Sequence, residues 1–91
     1  MNITVHYTTQ LRAALGTSEQ SLELDAGTTV RQLIQTLAQL HPDAFNRLVL
    51  GANGAVLPNL IVCVDDRQIQ ELDVPLESGQ SVTLLSAISG G

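Results

Sequence analysis

The spacing of the hydrophobic residues changes along this chain, and that change is the strongest constraint on its fold. Residues 1–7 and 19–24 alternate apolar with polar side chains, as half-buried strands do. Residues 30–40 instead repeat apolar side chains every three or four positions, which is typical of an amphipathic helix. Alternation returns at residues 81–85. Strands on both sides of a helix with one apolar stripe indicate an α+β domain, with the helix on one face of a mixed sheet.

The helix over residues 30–40 has clear start and stop signals. Thr29 precedes it and Gln32 follows three positions later, which is the spacing of a capping box. The helix is expected to end at His41, because the residue before a proline avoids helical dihedral angles. Its apolar stripe consists of Val30, Leu33, Ile34, Leu37 and Leu40.

Four to five strands are expected to share the sheet. The continuous apolar run 60–64 suits a central strand, and a short strand is expected near residues 67–70. In the last strand, residues 81–85, Val82 and Leu84 would point inward. We predict that the first and last strands lie side by side in parallel at the centre, which is a β-grasp arrangement.

The domain is expected to cover residues 1–85, with residues 86–91 as a flexible tail, because those six residues lack both apolar density and strand propensity. Two less regular segments, 8–18 and 42–59, are each expected to contain one short helical turn. A chain of 91 residues is long enough for one hydrophobic core.

Composition argues against several classes of function. The formal net charge is −5, and the four basic side chains are dispersed arginines. A nucleic-acid-binding protein or one that binds an anionic membrane needs a clustered basic face. No apolar run approaches the roughly 20 residues of a membrane span and no secretory leader is visible, so the cytoplasm is the expected location. The acidity suits a partner with a basic docking face, or serves solubility alone.

The residue types that often carry chemistry are isolated in this sequence. Cys63 lies among apolar strand residues, where thiols are usually inert packing groups, although a sulfur relay is the alternative. His41 fits the C-terminal end of a helix, and neither it nor His6 has metal-ligand spacing. Asp65 and Asp66 are expected to form a turn. With no phosphate-binding loop, triad or metal motif, we expect no catalytic residue, no metal and no bound cofactor.

A distinctive series of features closes the sequence: Pro75-Leu76, a polar turn with Gly79, an apolar final strand and Gly90-Gly91. This series resembles the C-terminal signature of the ThiS/MoaD sulfur-carrier family, whose members have a ubiquitin-like β-grasp fold. The long connection between the helix and the third strand is more similar to the longer MoaD-like members. Ser86 stands where that family often has proline, and Asp65-Asp66 stands where it often has Asn-Gly.

The resemblance implies a carrier without catalytic residues of its own. A ubiquitin-activating-like adenylyltransferase would use ATP to adenylate the carboxylate of Gly91. Sulfur from a cysteine desulfurase or a rhodanese-type donor would then convert it to a thiocarboxylate. Gly90 and Gly91 have no Cβ to obstruct entry into a partner's active site. The MoaD-like features favour the small subunit of molybdopterin synthase in molybdenum cofactor biosynthesis, with a MoaE-like large subunit as the acceptor.

The sequence leaves other functions open. Similar carriers serve thiamin synthesis, cysteine synthesis and tRNA thiolation. A ubiquitin-like protein modifier would use the same activated Gly91 to form isopeptide bonds with target proteins. A β-grasp interaction module with an idle tail is the third hypothesis.

A docking surface for the partners is also predicted from exposed apolar residues on the sheet face away from the helix. About half of the candidates are expected to be core residues instead, and only an accessible-surface comparison separates the two groups. The candidates are Leu60, Val62, Cys63, Leu85 and Ile88.

Overall fold

The computed structural model describes residues 1–51 and 54–86. Its elements are β1 (Asn2–Tyr7), α1 (Thr9–Leu15), β2 (Glu19–Glu23), α2 (Val30–Leu40), α3 (Pro42–Leu48), β3 (Leu60–Val64), β4 (Arg67–Ile69) and β5 (Ser81–Ser86). The strands of this part of the chain form one sheet in the order β2-β1-β5-β3-β4. β1 and β5 are parallel, and the other neighbouring strands are antiparallel. The predicted β-grasp arrangement, with the first and last strands paired at the centre, is confirmed.

One face of the sheet is buried against the helices and forms the core. Alternate residues of the central strands point to this face, and the apolar stripe of α2 meets them except at Leu40, which is 52% exposed. Burying one aliphatic side chain of this size stabilises a fold by about 1.5–3 kcal/mol, so the core fixes where α2 lies. The fully buried residues of β1, α2 and β5 are Ile3, Val5, Tyr7, Val30, Leu33, Ile34, Leu37, Val82 and Leu84.

The capping box at the start of α2 is confirmed. The Thr29 hydroxyl accepts a hydrogen bond from the Gln32 N–H at 3.2 Å, and the Gln32 side-chain oxygen accepts one from the Thr29 N–H at 3.0 Å. The helix ends at Leu40, and α3 begins immediately at Pro42, because proline is well tolerated at a first helical position, where its missing N–H is not needed.

The two short helical turns expected from the sequence are complete helices of seven residues each, α1 and α3. Each is anchored by one fully buried side chain, Leu11 in α1 and Phe45 in α3. None of the helices in the described residues is both long and apolar enough to cross a membrane.

The segment between β4 and β5 holds the start of α2 in place. The N–H groups of Val30 and Arg31 donate to the carbonyls of Val74 and Leu72, at 3.1 and 2.8 Å. The first N–H groups of a helix have no partner within the helix, so these two bonds satisfy them. The Arg31 guanidinium also donates from Nε to Oδ1 of Asp73 at 2.7 Å. The loop thereby closes over the beginning of the helix.

The two aspartates that follow β3 form the predicted turn into β4. Asp65 and Asp66 have φ angles of 49° and 67°, the left-handed conformations of a tight hairpin turn. Asp65 is held there by β5, because its Oδ1 accepts a hydrogen bond from the Ser81 N–H at 2.9 Å and its own N–H donates to the Ser81 carbonyl at 2.9 Å.

We expect the Arg31–Asp73 ion pair to make the free energy of unfolding depend on pH in the acidic range. The hydrogen bond from Arg31 lowers the pKa of Asp73 below its ordinary value. A lowered pKa in the folded state contributes stability that is complete above the unfolded-state pKa and is lost as pH falls through the folded-state pKa. The difference in unfolding free energy between the wild type and Asp73→Asn, measured in urea, should therefore shrink between pH 7 and strongly acidic pH. The effect is expected to be small because both side chains are exposed.

The matched control is Asp25→Asn, which removes a carboxylate that forms no ion pair within residues 1–51 and 54–86. It removes the same formal charge without removing an ion pair, so the difference from wild type should shrink less on acidification for Asp25→Asn than for Asp73→Asn. A difference between wild type and Asp73→Asn that is the same at both pH values would contradict the linkage.

The turn at Asp66 offers a second test. Left-handed backbone costs a residue with a Cβ about 1–2 kcal/mol, and glycine avoids that cost while losing more entropy on folding. We expect Asp66→Gly to raise the free energy of unfolding by about 0.5 kcal/mol and Asp66→Ala to lower it by a similar amount. Equilibrium urea unfolding measures both, and equal stabilities of the two variants would show that the turn is not strained.

Candidate functional site

β5 is the element that leads to the Gly-Gly end of the sequence. It lies between two strands: Leu84 pairs with Tyr7 of β1, and Ser86 pairs with Leu60 of β3. The strand continues through Ser86, one residue past the predicted end of the domain. Residues 87–91 lie outside the described residues, and with them three predicted site residues, Ile88, Gly90 and Gly91. Five residues span at most about 18 Å when fully extended, at about 3.3–3.6 Å per residue.

The sheet face opposite the helices carries an apolar patch formed by Ile61, Cys63 and Leu85, which we call the open-face patch. Ile61 lies directly opposite Leu85 in the antiparallel register, and Cys63 lies opposite Thr83. The three patch residues are partly exposed, and they belong neither to the core nor to the apolar residues packed against it. Cβ atoms of directly opposed residues lie about 4.5–5.5 Å apart, so the side chains of β3 and β5 make one continuous surface.

Polar and acidic side chains border the patch on the same face. In β1, Thr4 and His6 point away from the buried Val5, and His6 is the neighbour of Thr83 in the parallel register. In β2, the exposed Glu19 lies beside His6 and places negative charge at the edge of the face. The open face thus has an apolar centre and an acidic edge, a pattern that suits a partner with an apolar contact and a basic rim.

The predicted docking set is divided between the two faces of the sheet. Val62 is only 2% exposed and Leu60 is partly buried against the core, so both belong to the helix side. Leu60 and Val62 therefore do not belong to a docking surface on the open face. Side chains alternate along a strand, and the residues of β3 on the open face are Ile61 and Cys63. Leu85 lies on the open face, next to Ile61.

Ile61 was missed because the run 60–64 is apolar at every position. A continuous apolar strand contains no alternation that could distinguish its two faces. The signal that resolves them is the pairing with β5, where Val82 and Leu84 define the buried side.

His41 takes part in a structural hydrogen-bond network. Its Nε2 lies 3.0 Å from Oε1 of Gln20, and the hydroxyl of Tyr7 donates to the same oxygen at 2.9 Å. Burial raises the pKa of Tyr7 to about 12, so the phenol stays protonated and remains a donor. The His41 ring also stacks on Phe45, with 6.3 Å between the ring centroids. The network ties the end of α2 to the first two strands.

The described residues contain no group of three or more His, Cys, Asp or Glu side chains placed to hold a metal ion. Cys63 is a partly exposed free thiol within the open-face patch. The geometry of the described residues is a domain with an apolar patch on its open face and a central strand that leads to the C-terminal residues.

Comparison with known proteins identifies relatives over almost the whole chain. The family model of the ThiS family matches residues 5–91. No match is found among curated proteins. The structure is similar to SAMP1 from Haloferax volcanii, with a TM-score of 0.89 and 21% identity over 100% of both chains.

Two further solved structures are similar. A putative molybdopterin converting factor subunit 1 from Pyrococcus furiosus has a TM-score of 0.78 and 25% identity, over 97% of this chain and 99% of that chain. A chain of the BexX/CysO complex from Amycolatopsis orientalis has a TM-score of 0.69 and 26% identity, over 98% of this chain and 99% of that chain. These matches confirm the ubiquitin-like β-grasp fold.

Two adjacent leucines of β5 test the assignment of the faces. Leu84 is fully buried, so Leu84→Ala should lower the free energy of unfolding by about 3 kcal/mol through lost burial and the resulting cavity. Leu85 lies on the open face, so Leu85→Ala should cost less than about 1 kcal/mol. Denaturant unfolding of both variants measures the difference, and a Leu85→Ala loss as large as that of Leu84→Ala would mean that the open face is packed like a core.

Proposed function

Because this chain belongs to the ThiS family, we propose that it is a sulfur carrier whose Gly91 carboxylate is adenylated and then converted to a thiocarboxylate. The observation that carries the proposal is the position of β5, which is paired on both sides and leads into the segment that ends in Gly90-Gly91. A strand held at the centre of the sheet gives the last residues a fixed origin. The partner enzymes then bind the folded domain, and the chemistry takes place in their active sites.

The carboxylate needs activation because of its charge. A terminal carboxyl group has an ordinary pKa of about 3.3–3.7, so it is ionised at neutral pH and is a poor electrophile. Adenylation by a ubiquitin-activating-like enzyme with ATP would attach AMP as a leaving group. The persulfide sulfur of a cysteine desulfurase or rhodanese-type donor would then attack the carbonyl carbon and displace AMP. A thiol would cleave the S–S bond of the resulting acyl disulfide, which releases the thiocarboxylate and leaves a disulfide. Glycine at positions 90 and 91 leaves that carbon accessible because it has no side chain.

We propose that the open-face patch is the docking surface for these enzymes. Exposed apolar area on a small domain marks an interface, and Ile61, Cys63 and Leu85 form such an area next to the end of β5. Docking there leaves the residues after Ser86 within about 18 Å of the domain, which is the reach of five extended residues. The related CysO chain is found in a complex with BexX, which supports a partner enzyme as a general feature of such carriers.

The more specific proposal is the small subunit of molybdopterin synthase, with a MoaE-like large subunit as the acceptor. It is supported by the similarity to the Pyrococcus furiosus protein that is described as a putative molybdopterin converting factor subunit. The long connection between α2 and β3, which includes the additional helix α3, agrees with the longer MoaD-like members.

A second candidate is a protein modifier, because the similar Haloferax volcanii structure is a small archaeal modifier protein. The same activated Gly91 would then acylate the amine of a target lysine instead of accepting sulfur. The two functions share the adenylation step and differ in the nucleophile that follows it.

The decisive experiment combines the protein with its activating enzyme, ATP and a sulfur donor, and measures intact mass. A sulfur carrier gains the mass of one sulfur-for-oxygen exchange at its C-terminus, whereas a modifier gives covalent adducts with target proteins. Deleting Gly91, or adding one alanine after it, should abolish both products because the reacting carbonyl is lost or displaced. Adding a purified MoaE-like subunit and the precursor of molybdopterin then tests whether the protein is the small subunit of molybdopterin synthase.

The matched control is Gln39→Ala, an exposed substitution on α2 that leaves the C-terminus intact. It should react like the wild type, and circular dichroism should show that all variants are folded. Sulfur exchange that persists after deletion of Gly91 would refute the proposed site.

A further inference from the structure

Thr8, at the point where β1 ends, makes a contact that its local position does not explain. We propose that Thr8 is a positioning residue for the C-terminal segment: its hydroxyl holds the end of β5 and so sets the direction in which the chain leaves the sheet. The inference rests on the proposed function, in which the residues after β5 must enter an activating enzyme.

Thr8 occupies the N-cap position of α1, but its side chain makes no capping hydrogen bond. A threonine in that position usually accepts a hydrogen bond from the N–H of the second or third helical residue. Here the hydroxyl donates to the carbonyl oxygen of Leu84 at 3.1 Å, in a partly buried setting. The side chain therefore serves β5 rather than its own helix.

This bond extends the contact between β1 and β5 beyond the last residue of β1. At the start of the pair, the Thr4 N–H donates to the Gln80 carbonyl at 3.3 Å. The N–H groups of β1 that donate to β5 recur at every second residue in a parallel pair. The acceptor four residues after Gln80 is therefore the carbonyl oxygen of Leu84. The hydroxyl of Thr8 bonds that acceptor just after the last paired residues, Tyr7 and Leu84.

Thr9, the residue after Thr8, has a strained backbone conformation. Thr9 has a φ of 47°, a region that β-branched residues strongly avoid, although it is the first residue of α1. The chain turns here within one residue from the strand into the helix. That sharp turn keeps Thr8 beside β5, and α1 packs against the same strand. Strain of this kind persists where the surrounding structure requires one geometry, and it is concentrated at functional positions.

The consequence concerns the last residues of β5. The pairing of Tyr7 with Leu84 and the Thr8 hydroxyl together hold the strand from the β1 side as far as Leu84, and beyond it Leu85 and Ser86 pair with β3. Without the Thr8 hydrogen bond Leu84 keeps its backbone pairing with Tyr7, but the last contact of β5 on the β1 side is weakened. A partner enzyme requires the reacting carbonyl in one orientation, so a loosened strand end should slow the reaction more than it weakens docking, because two of the three patch residues, Ile61 and Cys63, lie on β3.

The test uses three substitutions. Thr8→Val removes the hydroxyl and keeps the shape, and Thr8→Ser keeps the hydroxyl. Thr28→Val is the matched control, because the Thr28 hydroxyl also donates to a backbone carbonyl, that of Asp25 at 2.7 Å, in the turn that precedes α2. Each protein is assayed for ATP–pyrophosphate exchange with the activating enzyme, with kcat and KM for the carrier determined separately.

We expect Thr8→Val to lower kcat about fivefold to tenfold, which corresponds to the loss of one hydrogen bond, while KM changes by less than about twofold. Thr8→Ser and Thr28→Val should both behave like the wild type. An unchanged kcat in Thr8→Val, a KM that rises while kcat stays constant, or a Thr8→Ser variant as slow as Thr8→Val would overturn the inference.

A second readout separates this inference from the proposed function. Hydrogen exchange of the Leu85 amide, measured by NMR without any enzyme, should be faster in Thr8→Val than in Thr8→Ser or Thr28→Val. If wild type fails to be adenylated while this difference is seen, the proposed function is refuted and the role of Thr8 in fixing the strand end stands. If the Leu85 amide exchanges equally in all variants, the role of Thr8 is refuted.

Discussion

The parallel pairing of β1 with β5 is the interaction on which the rest of this structure depends. It joins the first and last strands of the described chain, with Thr4 beside Ser81 and Tyr7 beside Leu84. Parallel neighbours cannot be joined by a tight turn, so everything between them must form a crossover. The helix α2 is the main part of that crossover, and it covers the buried face that the two strands create together.

The same pairing determines which residues face a partner. Once Val82 and Leu84 are turned toward α2, alternation places Leu85 on the opposite face. The antiparallel register with β3 then places Ile61 beside Leu85 and sends Val62 into the core. Stability and the candidate docking surface thus depend on opposite faces of β5, so we expect core substitutions in this strand to affect both.

The sequence predicts those features whose signals are local. The capping box of Thr29 and Gln32, the end of α2 before Pro42 and the Asp65-Asp66 turn all lie within a few residues of their causes. The face of Val62 could not be predicted in this way, because every residue of its strand is apolar and the deciding contact lies in β5. The hydrogen bond from Thr8 to Leu84 could not be predicted for the same reason, since the hydroxyl's partner is 76 residues away in the sequence. Gly90 and Gly91 were identified from the motif alone and lie outside the described residues.

The strained backbone of the described residues is concentrated around β5. Positive φ angles outside glycine occur in this part of the chain at Thr9, Asp65 and Asp66. Asp65 bonds both backbone groups of Ser81, the first residue of β5, and Thr8, next to Thr9, bonds Leu84 near its end. Left-handed backbone in residues with a Cβ costs about 1–2 kcal/mol each, so both ends of one strand are held by contacts that the chain maintains at a cost in stability. A strand that only completed a core would be held well enough by Val82 and Leu84, whereas one that must present the residues after it in a defined direction benefits from being fixed at both ends.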